Sequence, residues 1–232
     1  MAVVSGALLA GPKLVVTDVD STLIVQEVIE ELAAAAGTRT QVANITAAAM
    51  AGKLDFAHSL ALRVATLQGV PVTVFENVLA RIRLRTGARE LIDNVHRCGA
   101  HFGVVSGGFI EVVTPLAAQL GIDYVRANRL EIKDGFLTGR TVGKIVTGEV
   151  KEEALRTWAG TELDRSVAIG DGANDLPMLN AAGLGIGFCP KPVVAKNADA
   201  VLDWPNLGAA WGMICPTSYG KCASSSPNLH KN

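Results

Sequence analysis

The stretch Leu14-Val15-Val16-Thr17-Asp18-Val19-Asp20-Ser21-Thr22 is a short apolar run that breaks into a polar, acidic turn. An apolar run of this length bounded by turn residues reads as a buried strand. Asp18 and Asp20 are two residues apart at its end, so their carboxylates point to one side and repel each other. Two readings fit. The aspartates cap backbone groups in a turn, or they are a nucleophile and a general acid/base with a hard cation between them.

Beyond this turn the period changes. Val25, Val28, Ile29, Leu32 and Ala36 recur at helical spacing, and Gly37 stops the run. Glu27 then lies one turn into this first helix. Further helical stretches are expected over about 40–50 and 55–68, and from Pro71 to near Arg85, with no strand among them. From Ala88 onward strands and helices alternate. Strands are expected at His101–Val105, Tyr124–Val125, Ser166–Ile169, Leu184–Ile186 and Ala200–Leu202, with a hairpin over Leu130–Val142 around Asp134-Gly135. The fold class is therefore α/β, a Rossmann-like doubly wound parallel sheet with a small helical insertion after the first strand. The expected boundaries are a core of 13–25 and 86–211, a helical cap of 26–85 and an irregular tail of 212–232. Ligands of such sheets bind at the carboxyl ends of the strands.

Three polar segments end apolar strands and would meet at that edge. Besides Asp18–Asp20 they are Ser106-Gly107-Gly108 and Gly170-Asp171-Gly172-Ala173-Asn174-Asp175. A hydroxyl beside free backbone N–H groups at a helix start makes an anion cradle, although Ser-Gly is also a common turn. Asp171 and Asp175 could cap a helix; a second acidic cluster at one sheet edge favours a magnesium site instead. Lys151 opens a helix, where the dipole disfavours a cation; taken by itself it reads as a solvated surface lysine, while the position also suits a phosphate contact. Arg63 shares a helical face with Phe56, Leu60 and Leu67. Such a cation is paired with a protein carboxylate or contacts a ligand.

The chain has 232 residues, 49% hydrophobic and 19% charged, with a formal net charge of −1. It is long enough for one sizeable core with a small second domain. No basic run marks a nucleic-acid partner, and no apolar stretch is long enough for a membrane helix. Met1–Pro12 carries no basic residue and reads as a lead-in to the first strand rather than a signal peptide. The four cysteines form no C-x-x-C pair, so incidental thiols in a reduced cytoplasm are expected.

Asp18-Val19-Asp20-Ser21-Thr22, Ser106-Gly107-Gly108, Lys151 and the Gly170–Asp175 string together resemble, in order, the four signature motifs of the haloacid dehalogenase superfamily. The Met50–Phe56 run, Arg63 and Cys189-Pro190-Lys191-Pro192 resemble its phosphoserine phosphatase branch. The similarity spans about Lys13 to Trp204. It implies hydrolysis of O-phospho-L-serine, the final step of serine biosynthesis, through an aspartyl phosphate on Asp18, with Asp20 as general acid/base. It also implies Mg²⁺ held by Asp18, the Asp20 carbonyl and Asp171, with Asp175 orienting its neighbours. Ser106, Gly107, Lys151 and Asn174 would hold the phosphate. Glu27 would meet the substrate ammonium and Arg63 its carboxylate, with Met50 and Phe56 closing the pocket. A cytoplasmic monomer or homodimer with a small-molecule partner, no nucleic acid and no membrane is expected. Regulatory domains like those preceding the core in some relatives are not expected, because only a dozen residues come before the first strand.

Two other readings stay open at this point. The same chemistry could pass phosphate to an alcohol such as homoserine, which product analysis would reveal. A sheet scaffold could also bind phosphorylated ligands without turnover, although the set Asp18, Asp20, Lys151, Asp171 and Asp175 argues against it.

Overall fold

Strand β1 (Leu14–Thr17) is buried at every position, and its neighbours explain why. It pairs in parallel with β2 (His101–Phe109) on one side and β5 (Ser166–Gly170) on the other. Period-2 alternation then divides the apolar side chains between two layers. Val15, Phe102, Val104, Val167 and Ile169 enter one buried cluster. Leu14, Val16, Val105 and Ala168 enter the other, against Val150, Ala154 and Leu155. The computed structural model that shows this describes residues 10–50 and 54–215.

The helices before β2 are α1 (Val28–Ala35), α2 (Arg39–Met50), α3 (Phe56–Ala65), α4 (Val74–Leu79) and α5 (Ala88–Arg97). After β2 come α6 (Ile110–Leu120), β3 (Tyr124–Lys133), β4 (Phe136–Val142) and α7 (Gly148–Ala159). After β5 follow α8 (Leu176–Ala181), β6 (Leu184–Phe188), α9 (Pro192–Ala195), β7 (Ala200–Leu202) and α10 (Trp211–Ile214). The sheet has seven strands in the order β4-β3-β2-β1-β5-β6-β7. All pairings are parallel except β3 with β4.

Several expected elements differ in extent. Tyr124–Val125 is no separate short strand. Tyr124–Lys133 runs on as one strand because Ala127 and Asn128 continue the pairing with β2 across a register shift at Ser106/Phe109. Ser106, Gly107 and Gly108 therefore lie inside the extended strand β2, which runs on to Phe109 before α6 begins. The first inserted helix starts at Val28, so Glu27 sits at its N-cap rather than one turn inside. The cause is Asp20, whose Oδ1 accepts the Val28 N–H at 2.8 Å and fixes the helix start. Helix α4 is shorter than the Pro71–Arg85 pattern suggests. The segment after it turns extended, and Ile24 bridges Leu84. Val25 N donates to Arg83 O and Arg85 N to Leu23 O, each at 2.9 Å, so two extended connections tie helices α1–α4 to the sheet.

At the far end α10 buries Ile214, so helical packing reaches beyond Trp211; residues 216–232, most of the expected tail, lie outside the described residues, as do residues 1–9. Cys189 carries a free thiol.

Candidate active site

The three polar strand ends do meet. A cavity of about 720 Å³ lies over the carboxyl ends of β1, β2 and β5, and its lining includes Asp18, Asp20, Gly107, Asp171 and Asn174 from the sheet edge. The helical insertion supplies the opposite wall, including Glu27, Phe56, Ser59 and Arg63. Another cavity, of about 440 Å³ near Arg89 and Asp93, touches none of the acidic motifs.

Lys151 lies buried behind the cavity wall, beneath Asp18. It is fully inaccessible, and its Nζ donates to Asp18 Oδ1 at 2.5 Å and to Asp175 Oδ1 at 2.6 Å. The other oxygen of Asp175 accepts the backbone N–H groups of Asp171 and Gly172 at 3.1 and 3.0 Å. Asp175 thus spends its carboxylate on shaping the Gly170–Asp175 loop and holding Lys151. Gly170 is needed there, because a Cβ would fall 2.5 Å from the Asp175 carboxylate. Asp20 turns away from this cluster: its Oδ2 accepts from Ser106 Oγ at 3.2 Å, while Ser106 Oγ takes the Gly108 N–H at 2.7 Å.

Burial dominates the electrostatics. It pushes the Asp18 carboxyl well above the usual carboxylate range, Lys151 pulls it back, and Asp175 and Asp20 push it further up. Burial disfavours the Lys151 ammonium, yet Asp175 and Asp18 hold its pKa above the ordinary value. A simple ion pair would draw Asp18 down, so the two shifts pull against each other. The physical reason is stoichiometric: one ammonium faces two carboxylates, with Asp20 nearby, and cannot neutralise them all. Asp20 is raised to about 7, first by burial and then by the negative charge of Glu27. Asp171 is raised by burial, against the pull of Lys191. Burial lowers Arg63, which Glu27 and Asp20 partly offset.

An excess of buried negative charge is a site for a cation. Asp18, Asp171 and Asp175 offer oxygen atoms that lie within 4.8 Å of one another. An all-oxygen carboxylate set suits a hard divalent ion. The expected third ligand, Asp20, would act through its backbone carbonyl, so its side chain is free for Ser106 and Val28.

A model of the haloacid dehalogenase-like hydrolases matches residues 15–180. The chain belongs to that family. This haloacid dehalogenase-like hydrolase is 52% identical over 197 residues to the phosphoserine phosphatase of Streptococcus thermophilus, covering 84% of the chain and 92% of that relative. It is 54% identical over 220 residues to phosphoserine phosphatase SerB2 of Mycobacterium tuberculosis, covering 90% of the chain and 54% of that longer protein. Among solved structures, one described as a phospho-aspartyl intermediate analogue of phosphoserine phosphatase is 41% identical at a TM-score of 0.81, covering 88% of the chain and 99% of that one. A substrate-bound phosphoserine phosphatase complex is 40% identical at 0.82, covering 87% and 98%.

In and around the hydrolase's cavity, further residues to which the sequence assigns no role support the acidic motifs. Ser21 has a left-handed φ of 59° and donates to Glu27 Oε1 at 2.7 Å, fixing that carboxylate in the wall. Arg85 Nη2 donates to the Ser21 carbonyl at 2.6 Å and its guanidinium lies 5.6 Å from the Phe188 ring centroid. Thr22, fully buried, reaches Asp171 Oδ1 at 3.5 Å. Lys191 stands 3.6 Å from Asp171 Oδ2. Asn128, 2% exposed, donates to the Gly107 carbonyl and accepts the Val146 N–H, both at 2.8 Å. It thereby couples the Ser106–Gly108 segment to the lead-in of the helix that carries Lys151. Ser21, Thr22 and Lys191 stand inside the stretches that carry the family resemblance, which assigns them no role; Asn128 carries no sequence signal. Met50 ends α2, and its side chain lies outside the described residues.

Proposed function

We propose that this chain is a phosphoserine phosphatase, hydrolysing O-phospho-L-serine to L-serine and phosphate through an aspartyl phosphate. The observation that carries the reading is the pairing of two chemistries in one cavity. The sheet edge offers an attacking carboxylate beside a buried ammonium, and the helical wall offers Glu27 and Arg63. A phosphate ester with an ammonium and a carboxylate complements all of these charges. Relatives bearing the name phosphoserine phosphatase, and a substrate-bound structure of one, support it.

In this mechanism Asp18 attacks phosphorus, a P–O bond to Asp18 forms, and the bond to the serine oxygen breaks. Asp20 gives its proton to that oxygen. Its raised pKa of about 7 lets it hold the proton near neutrality. Water then attacks the aspartyl phosphate, passing a proton to Asp20 and restoring Asp18. Ser106, Gly107, Lys151 and Asn174 hold the phosphoryl oxygens; positioning and electrostatics do most of the work in such transfers. Asp18, the Asp20 carbonyl and Asp171 would hold Mg²⁺, with Asp175 setting the loop that presents Asp171. When bound, the ion supplies charge neutralisation and polarises the phosphoryl oxygens. Glu27 meets the substrate ammonium, Arg63 the carboxylate, and Phe56 with Met50 closes the pocket. The helices of 26–85 serve as the cap on a core of 13–25 and 86–211. The same reading makes the protein a cytoplasmic enzyme of serine biosynthesis, monomeric or homodimeric, with no nucleic-acid or membrane partner.

The test is phosphate release from phosphoserine, phosphoethanolamine and a sugar phosphate, with magnesium and with chelator. Phosphoserine should be preferred, and release should stop with chelator. Asp18→Asn should abolish turnover. An active Asp18→Asn protein, shown to be free of deamidation, would remove Asp18 as nucleophile.

A further inference from the structure

The cavity wall contains a hydroxyl with nothing to bond. Ser59, in the middle of α3, is 1% exposed, lines the cavity, and its Oγ has no hydrogen-bond partner among the described residues. A mid-helix serine ordinarily returns its hydroxyl to the carbonyl one turn back. Here Asp55 O takes the Ser59 N–H at 2.9 Å and no such bond from Oγ is made. Native structures leave few buried polar atoms unpaired, and each one calls for an explanation, such as a bound ligand. Thr46 Oγ1, on α2, is likewise buried without a partner, and Thr46 lines the same cavity. Two residues lining one cavity therefore carry hydroxyls unmet among the described residues.

The neighbours of Ser59 say what kind of group would satisfy it. Phe56, Ser59 and Arg63 follow one another at three- and four-residue spacing, so they share a face of α3, and all three line the cavity. Arg63 Nε donates to the Ser59 carbonyl at 3.2 Å, which folds the guanidinium back over that turn. A guanidinium only donates. A hydroxyl beside it completes the same demand by donating to the same acceptor, and an acceptor for both is an anion. Glu27, held by Ser21, supplies the opposite charge.

We propose that the Ser59 hydroxyl is a specificity-determining contact that donates to the α-carboxylate of the substrate beside Arg63. The site then selects phosphorylated amino acids over phosphorylated amines. This rests on the phosphoserine reading above and adds a residue to it.

The experiment compares kcat/KM for phosphoserine and phosphoethanolamine in the wild type and in Ser59→Ala. Phosphoethanolamine keeps the phosphate and ammonium and lacks the carboxylate. Because alanine removes an unpaired buried hydroxyl from a helix, the unliganded variant should melt no lower than the wild type. Its kcat/KM for phosphoserine should fall about 10- to 100-fold, mostly through KM, as expected for a lost hydrogen bond to a charged group. For phosphoethanolamine the change should stay within about twofold, since an interaction not made cannot be lost. An equal fall for both substrates, or an unchanged KM for phosphoserine, would overturn the assignment. A wild type that does not favour phosphoserine would overturn the substrate reading itself, and would do so before any variant is made. If Ser59→Ala melts lower, Ser59→Cys serves as a second variant. It fills the site with a weak donor and should show the same selective loss.

Discussion

Gly108 has no room for a side chain. A Cβ there would fall 2.8 Å from Asp20 Oδ2 and 3.0 Å from Ser106 Oγ. Both atoms belong to the short chain of hydrogen bonds that orients Asp20, from the Gly108 N–H through Ser106 Oγ to Oδ2. Gly108→Ala should therefore push the Asp20 carboxylate off its position while leaving the apolar layers beneath untouched. Misplacement by about 1 Å can cost about 100-fold in rate, and we expect kcat to fall by that order with KM changed much less. Steady-state kinetics alongside a melting curve would check it. A variant with wild-type kcat would mean that the acid/base position tolerates such a shift. Gly107 is constrained from the other side: a Cβ would meet the Phe56 ring at 3.3 Å, so the inserted helices rest directly on the strand end.

At the scale of elements, the starts of β2 and β3 are stitched by one carboxylate. Asp123 Oδ2 accepts the Phe102 N–H at 2.7 Å and a bond from His96 at 2.9 Å, while Oδ1 lies 3.5 Å from His101 Nδ1. Burial alone would raise this carboxyl; the bonds from Phe102, His96 and His101 outweigh it and hold the pKa below the ordinary value. A depressed carboxylate pKa contributes stability that is present above the unfolded value of about 3.9 and is lost as pH falls through the folded value. Asp123→Asn should then cost about 1 kcal/mol at pH 7, a figure reduced for the partial exposure of the group. The difference from wild type should shrink toward zero as pH drops below about 4. Denaturant titrations at pH 7, 5 and 3 would test both the sign and the window.

This stitch also marks what the sequence made legible. The β1 and β5 runs are apolar at successive positions and end in Asp- or Gly-rich turns, so both their existence and their chemistry could be read directly. β3 could not. Its buried Asn128 sits among half-buried residues and breaks the apolar pattern, because its side chain serves Gly107 and Val146 instead of a core. Glu27 was misplaced by a turn for a similar reason. Helical period extends back to Val25, but a side chain from the preceding turn caps the helix at Val28, and local periodicity carries no trace of a long-range cap. The acidic motifs converge as their positions at strand ends require. The hydrogen-bonded residues behind them, such as Arg85 and Asn128, are placed by tertiary packing alone.

For the whole molecule, the inserted helices and the sheet are not separate apolar units. Leu32, Leu60, Val64, Leu67 and Val78 from the insertion share one buried cluster with Phe102, Val104 and Ile169 of the sheet. Burying each side chain of this size contributes about 1.5–3 kcal/mol. The acidic cavity lies within this jointly built structure, so strain at the site acts on global stability. Asp18 and Asp175 share one ammonium, with Asp171 beside them, and burial raises the carboxyls of Asp18 and Asp171. A divalent ion that relieves this charge binds the folded chain and not the unfolded one, so it must raise the melting temperature. At 100 times its dissociation constant the gain is about 2.7 kcal/mol, equivalent to about 5–10 °C for a chain of this length. Calorimetry with magnesium and with chelator should show that rise. Asp171→Asn removes one proposed ligand and one repulsive charge together, so it should melt no lower than wild type in chelator and lose most of the magnesium-induced rise. If the variant kept the full rise, the ion would be bound elsewhere, and the proposed set of Asp18, the Asp20 carbonyl and Asp171 would not be its site.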